Sequence, residues 1–297
     1  MTKRRLLAIA NPISGRGRAL KLLPRLELLA ERAGVEVEPR MTEHAGHGRE
    51  IAAAAAGDGF DAVIGIGGDG TLNEVVNGLG VGGLPLMIVP LGTANVLAKE
   101  IGAPRDPARN VEALRDWRLL TRDLGRTGEG RLFTCFVGAG FDGECTRALK
   151  ERTGAIRMSS YGPIILRAIR TADYRTLRVV AGDQVVREGA SWALASLTPC
   201  YGGPLAFTPD ADPTDGKIDV LTLTRRISPM SVVGMLARGF LRLFRGARTA
   251  EFKQVVEFSI TSAEPNNGKV PYQIDGDFAG YLPVEAEVIP GGLTLLV

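Results

Sequence analysis

Sulfur and imidazole are nearly missing from this sequence: its 297 residues include three cysteines (Cys135, Cys145, Cys200) and two histidines (His44, His47). Three scattered cysteines are too few for a disulfide framework or a Cys-rich zinc site, and they read as buried or incidental in a reducing compartment. Two histidines leave little room for a Ser-His-Asp triad, and they read as helix-entry or nucleotide contacts rather than metal ligands. Aromatic residues make up only 6%. No aromatic platform interleaves with the basic stretches, so nucleic acid is not an expected partner. Lysine is scarce as well, at seven of the 36 basic residues. The arginines that replace it suit phosphate contacts and lipid–water boundaries, although genomic composition alone gives the same bias. Long apolar runs are absent too. Residues 6–10 meet Asn11-Pro12 at once, short of the roughly 7–15 residues of a signal-peptide core. The uncharged stretch from Val75 to Ala98 carries five glycines and two prolines, unlike a spanning helix. The expectation is a cytoplasmic protein that neither crosses a membrane nor leaves the cell.

What is present is ordinary globular material, 45% apolar and 23% charged with a net charge of +3. It is enough for about two domains at roughly 100–200 residues each. Residues 6–10, 35–41, 62–66 and 84–89 read as strands. Between them Leu22, Leu23, Leu26, Leu29 and Ala30 fall at helical spacing, residues 49–56 are Ala-rich, and Leu72, Val75, Val76 and Leu79 share one helix face; a further helix spans residues 94–101. Repeated βαβ units imply a parallel sheet flanked by helices. After a boundary near residues 118–126 the rhythm turns to strands at 132–137, 177–181, 185–187, 191–197, 218–224, 255–260, 272–274, 284–289 and 293–297. Gly182-Asp183 reads as a hairpin turn, and helices interrupt near 142–171 and 229–244. The expected fold is an α/β domain over residues 1–122 followed by a mostly antiparallel β-sandwich over residues 123–297.

Every strand-to-helix junction of the first domain is rich in Gly, Ser, Thr and Asn, at residues 11–18, 42–48, 67–71 and 90–95. Open α/β sheets take ligands outside the C-terminal strand ends, so these loops should share one edge. Gly67-Gly68-Asp69-Gly70-Thr71 says most. Its glycines let the backbone approach a phosphate, and the helix that follows adds a partial positive charge. Asp69 would repel phosphate unless a divalent cation lies between them. The plainer alternative is a tight turn in which Thr71 or Asn73 caps a helix. Residues 65–70 also spell the dinucleotide fingerprint G-x-G-x-x-G. The acid that fingerprint needs about 20 residues on is replaced by Pro90-Leu91-Gly92, and residues 138–143 spell the same pattern in the other domain. No G-x-x-x-x-G-K-[ST] occurs, which excludes a P-loop.

The run from Gly67 to Thr71 with Asn73-Glu74, followed by Pro90-Leu91-Gly92-Thr93-Ala94-Asn95, resembles the signature of the diacylglycerol kinase catalytic domain. That family includes diacylglycerol, sphingosine and ceramide kinases and bacterial lipid kinases. Asn11-Pro12 with Ser14-Gly15 matches its opening. Tyr201-Gly202-Gly203 with Pro209-Asp210-Ala211 and Asp215-Gly216 matches its middle, and Asp275-Gly276 with Leu282-Pro283 its end. The resemblance covers nearly the whole chain. It implies a nucleotide-binding α/β domain, then a β-sandwich whose final strand can return to the first domain. It also implies an ATP- and Mg²⁺-dependent kinase acting on a hydroxyl of a diacylglycerol-like or sphingoid lipid in phospholipid metabolism. By position, Asn11, Thr42, Gly67, Gly68, Asp69, Gly70, Thr71, Asn73, Glu74, Gly92 and Thr93 would line the ATP site, Asp69 acting with Mg²⁺ at the phosphates. Asp215, with main-chain oxygens of Asp212 and Lys217, would hold a structural Mg²⁺. Without the resemblance, residues 212–216 read as a solvated turn. The family's base is the Glu of Asp-Gly-Glu. Here the segment is Asp275-Gly276-Asp277, so the expected base is Asp277, one methylene shorter and acting directly or through a water, with Asp275 as a supporting carboxylate.

Residues 225–248 hold Arg225, Arg226, Arg238, Arg242, Arg245 and Arg248, no acid, and Met230, Val233, Phe240, Leu241, Leu243 and Phe244 among other apolar residues. A basic amphipathic helix of this kind suits an anionic membrane surface, so peripheral attachment to the inner membrane face is expected. A second basic stretch carries Arg147, Arg157, Arg167, Arg170 and Arg175 around Tyr161, Ile164, Ile165 and Leu166. For both, the rival is a core helix with a solvated arginine face. A homo-oligomer is left open. Rival functions are an NAD kinase, which shares Gly-Gly-Asp-Gly but is opposed by the Pro90-Leu91-Gly92 loop and the basic helix, and a nucleotide-binding regulatory protein without turnover, prompted by Asp277.

Overall fold

In the computed structural model, which describes residues 3–151, 161–171, 176–202, 205–224, 228–243, 249–264 and 269–297, the chain divides into Met1–Leu124 with Ile289–Val297, and Gly125–Val288. In the first unit β1 (Arg4–Ala10), β2 (Val35–Met41), β3 (Ala62–Gly67) and β4 (Leu86–Pro90) pair in parallel in the order β2-β1-β3-β4. β3 is buried along its whole length, as a strand covered on both faces must be, so its sequence is an unbroken apolar run rather than an alternation. The helices are α1 (Arg18–Arg32), α2 (His47–Ala54), α3 (Asp69–Leu79), α4 (Val96–Glu100) and α5 (Pro107–Asp116). Ala19, Leu23, Leu26 and Ala30 of α1 share one core with Leu6, Ala8 and Ala10 of β1 and Ile64 and Ile66 of β3. Gly34, at φ 78°, turns the chain out of α1. The sequence reading contains no helix at α5, which buries Asn110 and Leu114.

The second unit is a sandwich. One sheet is antiparallel in the order Ala250–Val255, Ile218–Leu223, Trp192–Ser196, Phe136–Gly140, Pro271–Ile274, Asp277–Tyr281. Facing strands include Glu257–Ser262, Leu177–Ala181, Gln184–Ala190 and residues 284–287 of the final strand, Val284–Leu296. Val137, Ala139, Ala193, Ala195, Val220 and Ile274 from the first sheet meet Val179, Phe258, Ile260, Val284 and Ala286 from the second in one core, each set drawn from alternate positions. Gly182, at φ 54°, makes the hairpin turn expected there.

Three strand expectations change. The strand expected at 132–137 breaks into Leu132–Phe133 and Phe136–Gly140, because the N–H groups of Thr134, Cys135 and Phe136 turn to a carboxylate described below. The strand expected at 255–260 breaks at Val256, which is exposed where the chain leaves one sheet for the other. The strands expected at 284–289 and 293–297 are one strand. Its far end lies parallel to β4, with Leu295 opposite Leu86.

Candidate active site

The order β2-β1-β3-β4 puts a topological switch at β1 and β3, because the chain builds β2 on one side of β1 and β3 on the other. The crevice outside their C-terminal ends is where such a sheet receives a ligand. Asn11 stands at the end of β1. Its N–H donates to the Ile66 carbonyl (3.1 Å), its Nδ2 to Thr71 Oγ1 (3.4 Å), and its Oδ1 accepts the Ile13 N–H (3.1 Å). Buried Thr42, after β2, donates its N–H to the Ala10 carbonyl at 2.9 Å, and Leu91, after β4, donates to the Gly67 carbonyl at 2.7 Å. The four loops therefore lie on one edge, tied to one another.

The loops after β3 and β4 touch backbone to backbone. A Cβ on Gly92 would lie 2.6 Å from the Gly68 Cα, and one on Gly67 2.5 Å from the Thr71 Cβ. Gly68 is the N-cap of α3 and brings no side chain to the first-turn N–H groups, and Gly70 is exposed beside it. The positive end of α3 is thus open to an anion approaching bare backbone. Thr71 and Asn73 are not caps. Both are buried within α3, where the Asn73 carbonyl accepts from Asn77 Nδ2 at 2.9 Å. Thr93 is exposed in the loop after β4.

Two acids of this edge meet the N–H groups of neighbouring helices. Asp69 Oδ2 accepts the Asn95 N–H and Oδ1 the Val96 N–H, both at 2.7 Å, so Asp69 holds the start of α4. Glu74 Oε1 and Oε2 accept the Gly46 and Gly48 N–H groups at 2.8 and 3.1 Å, at the start of α2. Gly48 leaves the room this needs, since a Cβ there would come within 2.8 Å of Glu74 Oε2. Negative charge at the positive end of a helix is stabilising, and here it also fixes the loops that carry Gly92 and Thr42. His47 opens α2, its Nδ1 accepting the Glu43 N–H at 3.1 Å and its ring stacked on His44.

In the second unit, Asp275-Gly276 is a two-residue hairpin turn, with Ile274 opposite Asp277. Both turn residues have positive φ, 50° and 89°, the mirror-image turn for which Asp-Gly is favoured. The Asp275 carboxylate accepts the N–H groups of Thr134 (2.8 Å), Cys135 (2.9 Å) and Phe136 (3.0 Å) and the Thr134 hydroxyl (3.2 Å). Asp277 opens the next strand and is exposed.

At residues 212–217 the Thr214 hydroxyl (2.6 Å) and N–H (2.9 Å) donate to Asp212 Oδ1 and hold its carboxyl below the ordinary range. Asp215 Oδ1 accepts the Lys217 N–H at 2.9 Å, and Oδ2 accepts from Gln254 Nε2 at 3.4 Å. These are hard oxygen donors of the kind magnesium takes. Among the described residues no three His, Cys, Asp or Glu side chains are grouped to hold a metal, so a cation here would lean on main-chain carbonyls. Burial first, then Asp142 and Glu144, push the Cys145 thiol up, so it stays protonated and unreactive.

The helix Pro229–Phe240 starts with reciprocal Ser228–Ser231 bonds. It buries Val232 and Gly239 and turns Met230 (79% exposed), Val233 and Phe240 outward, with Leu241 and Leu243 exposed just beyond and Arg238 and Arg242 beside them. Arg225, Arg226, Phe244, Arg245 and Arg248 lie outside the described residues, as does Gly203. In the second basic stretch Arg147 pairs with Glu144 and Glu151, and Arg167 with Glu151, while Ile164 is buried. Its described charges are answered locally; Arg157, Arg175 and the side chains of Tyr161 and Arg170 lie outside the described residues. No described helix is long and apolar enough to cross a membrane.

The family model of the diacylglycerol kinase catalytic domain matches residues 5–127, and that of the YegS C-terminal NAD kinase beta sandwich-like domain matches residues 135–297. A diacylglycerol kinase of Mycobacterium tuberculosis is 31% identical over 97% of this chain and 94% of its own length. The chain belongs to the diacylglycerol kinase family. It is accordingly an enzyme, a lipid kinase, built as the α/β domain and β-sandwich that its sequence predicts. A Bacillus subtilis diacylglycerol kinase is 28% identical over 93% of this chain and 91% of its own. A crystal structure of a diacylglycerol kinase from Bacillus anthracis superposes with a TM-score of 0.75 at 19% identity, covering 99% of this chain and 96% of that one; at that identity it speaks for the fold alone.

Three residues of this family member escape sequence reasoning as site residues. Asn95, 1% exposed and left-handed at φ 47°, clasps Gly92 by accepting its N–H (2.9 Å) and donating to its carbonyl (2.7 Å). The signal is an Asn directly before an apolar run, since Asn tolerates that conformation. Asp142 and Gln273 are buried in the second unit, where Gln273 Nε2 and the Tyr201 hydroxyl donate to the Asp142 carboxylate. Their signal was the second G-x-G-x-x-G. A Cβ on Gly138 would collide with Asp142 and Gln273, and one on Gly143 with the Pro271 carbonyl, so Gly138 makes room for a buried acid and Gly143 for the backbone of the neighbouring strand, not for a dinucleotide.

Proposed function

We propose that the protein transfers the γ-phosphate of ATP, with Mg²⁺, to a hydroxyl of a diacylglycerol-like or sphingoid lipid at the cytoplasmic face of an anionic membrane. The observation that carries this reading is the bare backbone of Gly68, Gly70 and Gly92 around the open N-terminus of α3, in a chain of the diacylglycerol kinase family. Phosphates would lie against those amides, with Asn11, Thr42, Gly67, Thr71, Asn73 and Thr93 around the nucleotide. Asp69 and Glu74 would fix the surrounding loops, and Asp69 would act with Mg²⁺ at the phosphates. Magnesium supplies charge neutralisation at the phosphates. Asp277 would take the proton of the lipid hydroxyl, and Asp275 would hold its turn. Asp215, with main-chain oxygens of Asp212 and Lys217, would take a structural Mg²⁺. Because phosphoryl transfer depends chiefly on positioning and charge, an Asp in place of Glu is compatible with turnover.

Membrane contact is supported by the helix Pro229–Phe240. An arginine near an anionic surface contributes about 1 kcal/mol, and burying each exposed Val, Leu, Met or Phe about 1.5–3 kcal/mol. The apolar face therefore dominates and the arginines choose the surface charge.

The test measures ATP consumption with 1,2-dioctanoylglycerol in mixed micelles, with sphingosine, with NAD and with no acceptor. Turnover is expected with a lipid only. Asp277→Asn should lower kcat by about 10²–10⁴ with the KM for ATP nearly unchanged, and Asp277→Glu should retain turnover. Wild-type kcat in Asp277→Asn overturns the base, NAD-dependent turnover overturns the lipid acceptor, and no turnover with any acceptor overturns the kinase.

A further inference from the structure

The turn that carries Asp277 is held from two sides. On one, Asp275 accepts three N–H groups and a hydroxyl from residues 134–136. On the other, the side chain of Gln273, which is fully buried, uses both ends of its amide. Its Oε1 accepts the Gly276 N–H at 2.7 Å and its Nε2 donates to Asp142 Oδ2 at 2.8 Å. Asp142 Oδ1 accepts the Tyr201 hydroxyl, and the Tyr201 ring packs between Phe136 and Phe207. Only one orientation of the Gln273 amide makes both contacts attractive, because the flipped amide would set oxygen against carboxylate and N–H against N–H. Asp142 therefore dictates how Gln273 points, and Gln273 fixes the Asp275–Gly276 peptide of the turn that leads into Asp277. The sequence has given up a side chain at Gly138 to admit this arrangement.

We infer that Gln273, oriented by the buried pair of Asp142 and Tyr201, is a positioning residue that sets the Asp277 carboxylate for proton acceptance. The inference rests on the reading of Asp277 as the base. A general base must sit within hydrogen-bond reach of its proton, about 2.6–3.2 Å, and a misplacement of about 1 Å can cost 10²-fold in rate. An Asp directly after a two-residue turn has little side-chain length with which to correct an error in the backbone, so the backbone itself has to be fixed.

The test is a double-variant cycle in the full chain, assayed with ATP, Mg²⁺ and 1,2-dioctanoylglycerol. Gln273→Met keeps the length and loses both hydrogen bonds; kcat should fall by about 10- to 100-fold while both KM values and cooperative melting are kept. Combined with Asp277→Asn, it should add almost nothing, because both changes remove the same event. Multiplicative losses in the double variant overturn the inference. So does wild-type kcat in Gln273→Met while Asp277→Asn is slow, which leaves the base in place without its positioner. Wild-type kcat in Asp277→Asn removes the base reading and the inference together. If Gln273→Met does not fold, Tyr201→Phe reads the same comparison: a smaller loss that disappears in the Asp277→Asn background supports the inference, and wild-type kcat or multiplicative losses overturn it.

Discussion

Asp275 and Asp277 stand two residues apart with unlike surroundings: one accepts from four donors and the other is exposed. Removing the first leaves the buried N–H groups of Thr134, Cys135 and Phe136 without their acceptor, each a matter of about 1–3 kcal/mol before relaxation. Asp275→Ala should therefore cost about 3–5 kcal/mol in urea unfolding, whereas Asp277→Ala should change stability by less than about 0.5 kcal/mol. Asp142 offers a second check. Burial, its largest influence, raises this carboxyl against the opposing bonds from Tyr201 and Gln273, so the folded chain holds the proton more tightly than the unfolded one. Its contribution to stability is complete below the ordinary carboxylate range and is lost as pH rises through the raised value. Asp142→Asn has no such proton to lose, so its Tm relative to wild type should climb as pH rises above the ordinary carboxylate range; a flat difference would contradict the assignment. At this scale the sequence reading expects Asp277 as base and Asp275 as a supporting carboxylate, but it does not foresee the donors at residues 134–136 that hold Asp275. Asp-Gly is at once a favoured turn and part of a catalytic signature, and only the donors around each carboxylate separate the two.

Helices show the same mixture of legible and illegible. The periodicity of α1 and α3 is visible because each buries one apolar stripe against the sheet. The role of α4 is not, since its placement comes from an acid on α3 and an Asn in left-handed conformation. The break at residues 134–136 was hidden for a related reason, as the strand loses its ladder to a carboxylate 140 positions away in sequence. For the helix Pro229–Phe240 the outward residues follow from the sequence, but which face is covered needs Phe207, against which a Cβ on Gly239 would press at 2.6 Å. Val233→Glu with Phe240→Glu should abolish co-sedimentation with phosphatidylglycerol vesicles. Removing the charges of Arg238 and Arg242 should weaken it by roughly tenfold, about 1–2 kcal/mol, and raised salt should act in the same direction. Vesicle binding that survives the glutamates would send the membrane contact elsewhere.

The whole chain is ordered so that its first unit is completed by residues Ile289–Val297, where Leu295 lies beside Leu86 of β4. Residues 1–124 alone should expose the edge of β4 and aggregate, and a version with residues 289–297 joined through a Gly-Ser linker should melt cooperatively in calorimetry. The alternation of strands and helices was readable because a covered parallel sheet leaves apolar runs at regular intervals. The single long final strand was not, because Gly291 at φ 62° and Gly292 interrupt its apolar pattern.

That arrangement has a consequence during synthesis. A ribosome finishes β4 and must then make all of Gly125–Val288 before the neighbour of β4 emerges, a wait on the order of 10–30 s at about 5–20 residues per second. The nascent chain spends that interval with an open sheet edge, so holdase chaperones should be captured on stalled chains whose length falls within it and released once translation passes the final strand.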